Sequence, residues 1–250
     1  MEELRALFTF LGVKRGDTVM LHSAVFTLGV IENGLQGLYQ AVRDLMGDDG
    51  TLIVPTFTFS FRRHQVFDVL NSPPSKEIGS FSDYIRRHPD STRSLDPLFS
   101  MSAIGPKQQD LMERKSRNSF GEGSIYEKIF TANTLILALG ITYSTGISAF
   151  MHIEKLARID YRYDLTLEGR TVGYDGVERD DVVTHFARDE SKYPTGHTNR
   201  DPFGQEMEAA GISIAADFGS GHHVALRSQP FLDFTLSALK QDPHLMYVNQ

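Results

Sequence analysis

Three short apolar runs limit what this chain can fold into: Thr18-Val-Met-Leu-His22, Thr51-Leu-Ile-Val-Pro55 and Thr134 to Ile141. Each is β-prone, and none shows the polar and apolar alternation of a strand with one wet face. Such strands are buried on both sides, as in a parallel sheet covered by helices. Helical spacing supplies the cover. Leu4, Leu7, Phe8 and Leu11 precede the first run, and Leu35, Leu38, Val42 and Leu45 follow it. Gly12 to Asp17 and Gly47 to Gly50 are turn chemistry between these segments. The reading is an α/β fold built on β-loop-α units.

Beyond the second run, residues 62 to 80 hold Arg62-Arg63, Asn71-Ser72-Pro73-Pro74 and Gly79 without periodicity, which predicts a long ordered loop before a helix at Phe81 to His88. A strand at Leu98 to Ile104 and helices at Lys107 to Arg114 and Ser124 to Phe130 follow. From Ala149 to Arg158, Phe150, Ile153, Leu156 and Ala157 recur at helical spacing, so His152 and Glu154 are expected off the apolar stripe and free for chemistry. Gly169, Gly173 and Gly176 among short β-prone runs predict a hairpin or meander, a β-rich insertion around 165–190. Helices at Pro202 to Ala210 and Pro230 to Leu239 complete the chain. With 250 residues and no linker, positions 1–250 read as a single domain.

Charge and composition remove several function classes. The balance of 25 Lys+Arg against 32 Asp+Glu gives a net charge of −7, and the pairs Arg62-Arg63 and Arg86-Arg87 lie in no basic field, so nucleic acid is not an expected partner. The absence of cysteine excludes disulfides and thiolate chemistry and suits a reducing, cytoplasmic location. Acidic Glu2 and Glu3 stand where a secretory signal is basic, and no run approaches the roughly 20 apolar residues of a membrane span. His222-His223 diverge on an extended chain and have no carboxylate at ligand spacing, so no metal is expected.

The segment Leu21-His22-Ser23-Ala24-Val25-Phe26-Thr27-Leu28-Gly29 sits where a buried strand yields to a helix, a place where free backbone N–H groups can hold a phosphate. A catalytic Ser23 is the lesser reading, because adjacent strand residues point to opposite faces and no glycines frame the serine as in a nucleophile elbow. Together with Gly50 to Thr58, this loop resembles the aminoglycoside 3-N-acetyltransferase family in order and spacing. The resemblance continues through Phe67-Asp68 with Ser72-Pro73-Pro74-Ser75 and Gly79, Arg93-Ser94-Leu95-Asp96-Pro97-Leu98-Phe99-Ser100, Gly121-Glu122-Gly123-Ser124 and the apolar Leu135 to Gly140.

That resemblance implies a three-layer α/β/α sandwich with a mostly parallel central sheet and a small β decoration, distinct from the GNAT fold. It also implies transfer of an acetyl or other short acyl group from coenzyme A to an amine. His22, Ser23 and Ala24 then cradle the pyrophosphate, with Arg93, Ser100 and Ser124 along the coenzyme path. Asp68 and Glu122 meet the substrate. The alternatives for these side chains are an Arg93–Asp96 salt bridge, an N-cap for Ser124 and an Asx turn for Asp68. His152 is the expected general base, with Glu154 orienting it or gathering the substrate. The family's helix reads His-x-x-Glu, whereas His152 and Glu154 stand one residue apart; if the glutamate sets the register, Met151 takes the histidine's place. His185, His197, His222 and His223 are the reserve bases.

The expected acceptor is an amino-deoxysugar linked to a nucleotide, since several blocks look nearer the polysaccharide-associated members, with Arg93, Arg158 or Arg162 easing its phosphates into an acidic chain. An aminoglycoside is the alternative acceptor. Asp181, Asp189, Glu190 and Asp201 add negative potential but read as solvated surface. A serine hydrolase and a non-catalytic ligand-binding protein are the readings from other classes, and a homodimer is compatible with all of them.

Overall fold

The computed structural model describes residues 1–248. The helices are α1 (Glu2–Phe10), α2 (Gly34–Met46), α3 (Phe61–His64), α4 (Ser80–Arg86), α5 (Gln108–Met112), α6 (Ile125–Thr131), α7 (Ala149–Leu156), α8 (Asp201–Ala209) and α9 (Ser228–Gln241). The strands are β1 (Thr18–Ser23), β2 (Thr51–Pro55), β3 (Val66–Asp68), β4 (Thr92–Arg93), β5 (Met101–Ile104), β6 (Leu135–Leu139), β7 (Arg162–Val172), β8 (Glu178–Arg188), β9 (His197–Thr198), β10 (Ser213–Phe218), β11 (Gly221–Arg227) and β12 (Tyr247–Val248).

Seven strands form the central sheet in the order β10-β11-β6-β1-β2-β5-β4. The three apolar runs are its centre, β6, β1 and β2, and they pair in parallel. Every one of their residues is buried. The outer pairs are all antiparallel, so the sheet is parallel at its middle and mixed as a whole. Alternate residues face opposite layers, as the pleat requires. Val19, Leu21, Leu52, Val54 and Leu137 pack with α1, α2 and α4. Met20, Ile53, Ile136 and Ala138 pack with α6, α7 and α9.

The hairpin expected around 165–190 is β7 and β8, paired without a break from Arg162↔Arg188 to Val172↔Glu178. It lies outside the main sheet and takes β3 as a third, parallel strand. The segment 62–80 therefore carries β3 and part of α3 where the sequence predicts only loop. A second hairpin, β10 and β11, extends the main sheet beyond β6 and escaped the sequence reading. Its turn is Gly219-Ser220, with Gly219 at φ +59.

Candidate active site

The carboxyl ends of the parallel strands open into a cleft of about 830 Å³, the place where open α/β sheets bind ligands. His22 and Ser23 end β1, Pro55 ends β2, and Gly140 follows β6 on its floor. One wall is the turn Ala24 to Phe26, another is Lys76 to Ser80, and the third is the loop Gly140 to Ser148 leading into α7. Gly140 holds φ +64, and a Cβ there would lie 1.9 Å from Thr27 Oγ1, so only glycine lets the β1 turn and the β6 loop close together.

A second recess of about 770 Å³ opens between α7 and the β7–β8 hairpin. It is lined by Arg62, Arg162, His185, Arg188 and neighbouring residues, and it shares Phe99 and Met151 with the first. The two recesses meet at those side chains. Phe99 is aimed there by Asp96, whose Oδ1 accepts the backbone N–H groups of Leu98 and Phe99 at 2.9 and 2.7 Å.

Helix α7 presents Met151 to this space, which its N-cap Ser148 also lines, and turns the two expected catalytic residues away from it. The His152 ring stacks 4.9 Å from Phe130, and its Nδ1 accepts the Gly121 N–H at 3.1 Å. Burial lowers its pKa to about 4, helped by Lys155. Glu154 is fully buried between two arginines. Arg200 donates to Oε1 from Nη2 at 2.7 Å and from Nε at 3.2 Å. Arg162 Nε approaches Oε2 to 2.7 Å as an ion pair without hydrogen-bond alignment. The expectation that both residues lie off the apolar stripe fails because α7 packs against α6 and α9 on one side and meets hairpin side chains Arg162, Asp164 and Phe186 on the other; the helix has no broad wet face.

The cradle residues fare better. His22, Ser23 and Ala24 all line the first recess. His22 Nε2 is buried without a hydrogen-bond partner, and burial alone pushes this imidazole down to about 4. Ser23 Oγ makes no hydrogen bond to an imidazole among the described residues, so no serine–histidine pair is built here.

The aminoglycoside 3-N-acetyltransferase family model matches residues 20–240. This chain belongs to that family. Among its relatives, aminoglycoside N(3)-acetyltransferase VII of Streptomyces paromomycinus is 24% identical, with 93% of this chain and 88% of that protein covered. Aminoglycoside N(3)-acetyltransferase III of Serratia marcescens is 27% identical over 74% of this chain and 75% of its own length. The fold of aminoglycoside acetyltransferase AAC(3)-Xa superposes with a TM-score of 0.84 at 24% identity, covering 96% of this chain and 92% of that one. AAC-IIIb, solved as a binary complex with CoASH, superposes at 0.81 with 22% identity over 96% of both chains. These likenesses place the fold outside the GNAT class.

Within this family frame, five expected site residues lie elsewhere. Arg93 is buried, and its guanidinium is taken up by the protein: Nε reaches Thr56 Oγ1 and Ser100 Oγ, Nη1 the carbonyls of Val69 and Ser72, Nη2 the Thr56 carbonyl and Thr58 Oγ1. It has no donor left for a phosphate and makes no salt bridge with Asp96. Ser100 is part of the same cluster, donating to the Thr56 carbonyl at 2.6 Å. Ser124 is the N-cap of α6, accepting the Glu127 N–H and donating to the Gly121 carbonyl. Asp68 closes an Asx turn through the N–H groups of Leu70 and Asn71. Glu122 is exposed and lines neither recess.

Of the reserve histidines, only His185 reaches the site. Its Nε2 is buried without a partner, and burial, then Arg62 and Arg162, lower its pKa to about 4. His222 instead bridges Asp217 and Glu208 on the surface, and His223 Nε2 lies 2.8 Å from the Phe218 carbonyl. No group of three or more His, Cys, Asp or Glu side chains among the described residues is placed to hold a metal. No helix among them is long and apolar enough to cross a membrane. Lys76, Arg200 and Phe99 line the recesses without having been singled out in the sequence, and Met151, expected in the histidine's place only if Glu154 sets the register, stands at their junction. Their signal is only in the folded chain, since each comes from a different loop or helix.

Proposed function

We propose that this protein is an acyl-CoA-dependent N-acyltransferase that moves an acetyl or other short acyl group from the coenzyme thioester to the amine of an amino sugar. The observation that carries this reading is the pair of recesses meeting at Phe99 and Met151, in a chain matched by the family model over residues 20–240. The first recess suits the coenzyme. It is roomy, walled by the glycine-closed turn at Ala24 to Phe26, and carries Lys76 and the partnerless Nε2 of His22 as phosphate or amide contacts. The second recess then takes the acceptor.

In the transfer, the amine nitrogen attacks the thioester carbonyl carbon, the C–S bond breaks, and its electron pair leaves on sulfur, which ends as the free thiol. The amine must give up a proton, so a neutral imidazole in reach is the minimum equipment. We assign that task to His185 in place of His152, because His185 lines the acceptor recess and His152 lines neither. Arg200, whose Nη1 makes no hydrogen bond among the described residues, lines the coenzyme side and suits the charge that develops on the carbonyl oxygen.

The named relatives support an aminoglycoside as acceptor over a nucleotide-linked amino-deoxysugar. The cysteine-free chain and a coenzyme A donor suit the cytoplasm. One observation favours a second reading: Met151, a thioether with no proton to exchange, stands at the junction where the family's glutamate register puts a histidine, as in a protein that binds acyl-CoA without turning it over. Free-thiol release from acetyl-CoA decides between them. Release that depends on an amino sugar supports the transferase; tight acyl-CoA binding with no release for any amine supports the binder.

A further inference from the structure

Cations outnumber carboxylates in the wall of the acceptor recess. Behind that wall the fully buried Glu154 is shared by Arg162, which lines the recess, and by Arg200, which lines the first one; their side chains are only 11% and 7% exposed. One carboxylate between two guanidiniums leaves a positive charge in the interior, which is costly until a counter-ion reaches it. Arg62 adds another. It projects from α3 with its guanidinium 5.8 Å over the Phe59 ring and lines the recess with Arg162 and His185, and that guanidinium has no ion pair or hydrogen bond among the described residues. At the rim Arg188 pairs with Glu190 at 2.7 Å, and Asp189, whose Oδ1 accepts the N–H groups of Ser191 and Lys192, is a second carboxylate. The lining thus holds three arginines against two carboxylates although the chain carries −7.

His185 is an independent sign of a missing anion. The residue is 3% exposed, its Nε2 has no partner, and Arg62 and Arg162 both bear on it, opposed more weakly by Asp164. A negative group set against those arginines would relieve the imidazole of their repulsion and let it accept a proton more readily.

We infer that the recess takes an amino sugar carrying a phosphate near its reactive amine, with Arg62 and Arg162 holding the phosphate and His185 facing the amine. The inference rests on the N-acyltransferase reading above and sets a phosphorylated amino sugar in place of the aminoglycoside that the named relatives suggest. Guanidinium geometry matches phosphate oxygens, and Arg62 has all its donors free. A polycationic acceptor would meet repulsion at the same wall.

Calorimetric titration at low salt tests this with glucosamine 6-phosphate, glucosamine and the polycation sisomicin, on wild type, Arg62→Gln and Arg62→Glu. Arg62 is exposed on a short helix, and an unchanged Tm would show that both variants keep the fold. The phosphorylated sugar should bind roughly 10-fold tighter than glucosamine, the size of one charge-assisted hydrogen bond. That ratio should approach one in Arg62→Gln, and sisomicin should gain affinity in Arg62→Glu. Equal binding of the two sugars, including no binding of either, overturns the inference, as does tighter binding of sisomicin by wild type. Thiol release is read separately with the same compounds. Selective binding without release refutes acyl transfer and leaves the phosphate site standing; release with unphosphorylated amines alone does the reverse.

Discussion

Replacing His152 by alanine separates a structural imidazole from a catalytic one. The ring fills the space beside Phe130 and Tyr126, and its Nδ1 is the only partner found for the Gly121 N–H among the described residues. Truncating a buried ring of this kind costs about 3 kcal/mol, toward the low end of the range for Phe→Ala. Stranding the Gly121 N–H adds about 1–2 kcal/mol. The sum, about 4–5 kcal/mol, corresponds to a fall in Tm on the order of 10 °C for a chain of this size. The effect should shrink in acid. The folded pKa of about 4 lies below the ordinary 6.5, so between those values the unfolded chain binds a proton that the folded one refuses. The stability His152 contributes is therefore complete above pH 6.5 and is lost as pH falls toward 4, about 3 kcal/mol in all. Urea unfolding at pH 7 and pH 4.5 measures this difference, and thiol release in the absence of urea measures activity. Turnover per folded molecule should fall by less than about 10-fold, short of the 10²–10⁴ that loss of a general base costs. A variant with wild-type stability and turnover lost by about 100-fold or more would refute the reasoning and return His152 to the role of base.

Four further outcomes follow from the same geometry. Arg93→Gln should destabilise the protein by about 4 kcal/mol or more in urea unfolding, because the Thr56, Thr58, Val69, Ser72 and Ser100 acceptors lose a buried cation; at a temperature where the variant is folded, KM for acetyl-CoA should not change. Glu154→Gln leaves Arg162 and Arg200 without a counter-charge and should cost about 3–5 kcal/mol by the same measurement. Gly140→Ala forces a left-handed position and a collision with Thr27, so KM for acetyl-CoA should rise together with a loss of about 1–3 kcal/mol in stability. For the wild type, His22, His152 and His185 are all held neutral by burial, with pKa values lowered to about 4; stability should fall by about 4 kcal/mol per pH unit at its steepest between pH 6.5 and 4, and uptake of fewer than two protons on unfolding at pH 5 would contradict that.

The sheet centre was legible because an uninterrupted apolar run can satisfy both faces only when buried, and β1, β2 and β6 are those runs. The β7–β8 hairpin announced itself through its glycines. The β10–β11 hairpin did not, since Ser213 to Phe218 is half-exposed at the sheet edge and its apolar pattern is weak. For the site, the loop at His22 to Ala24 was readable from its place after a buried strand. Arg93 and Ser100 were not, because a buried arginine and a phosphate-binding arginine have the same sequence signature; only its hydrogen-bond partners tell them apart. The helix α7 misled for a physical reason. Its polar residues look like a solvent face, yet Glu154 is compensated by arginines from β7 and the segment before α8, far away in sequence. His185, one of four reserve histidines, and Met151, one of two registers, were set apart from their alternatives only when the hairpin folded against α7.

The central claim, acyl transfer to an amino sugar, is tested most directly by incubating the purified chain with acetyl-CoA and a panel of amino sugars and examining the sugars by mass spectrometry. N-acetylated sugar formed in step with free coenzyme A, and absent when Gly140→Ala closes the donor recess, is the result this account predicts. Tight acetyl-CoA binding with no acetylated sugar from any acceptor, phosphorylated or not, would contradict it and leave a binding protein on the fold of an acetyltransferase.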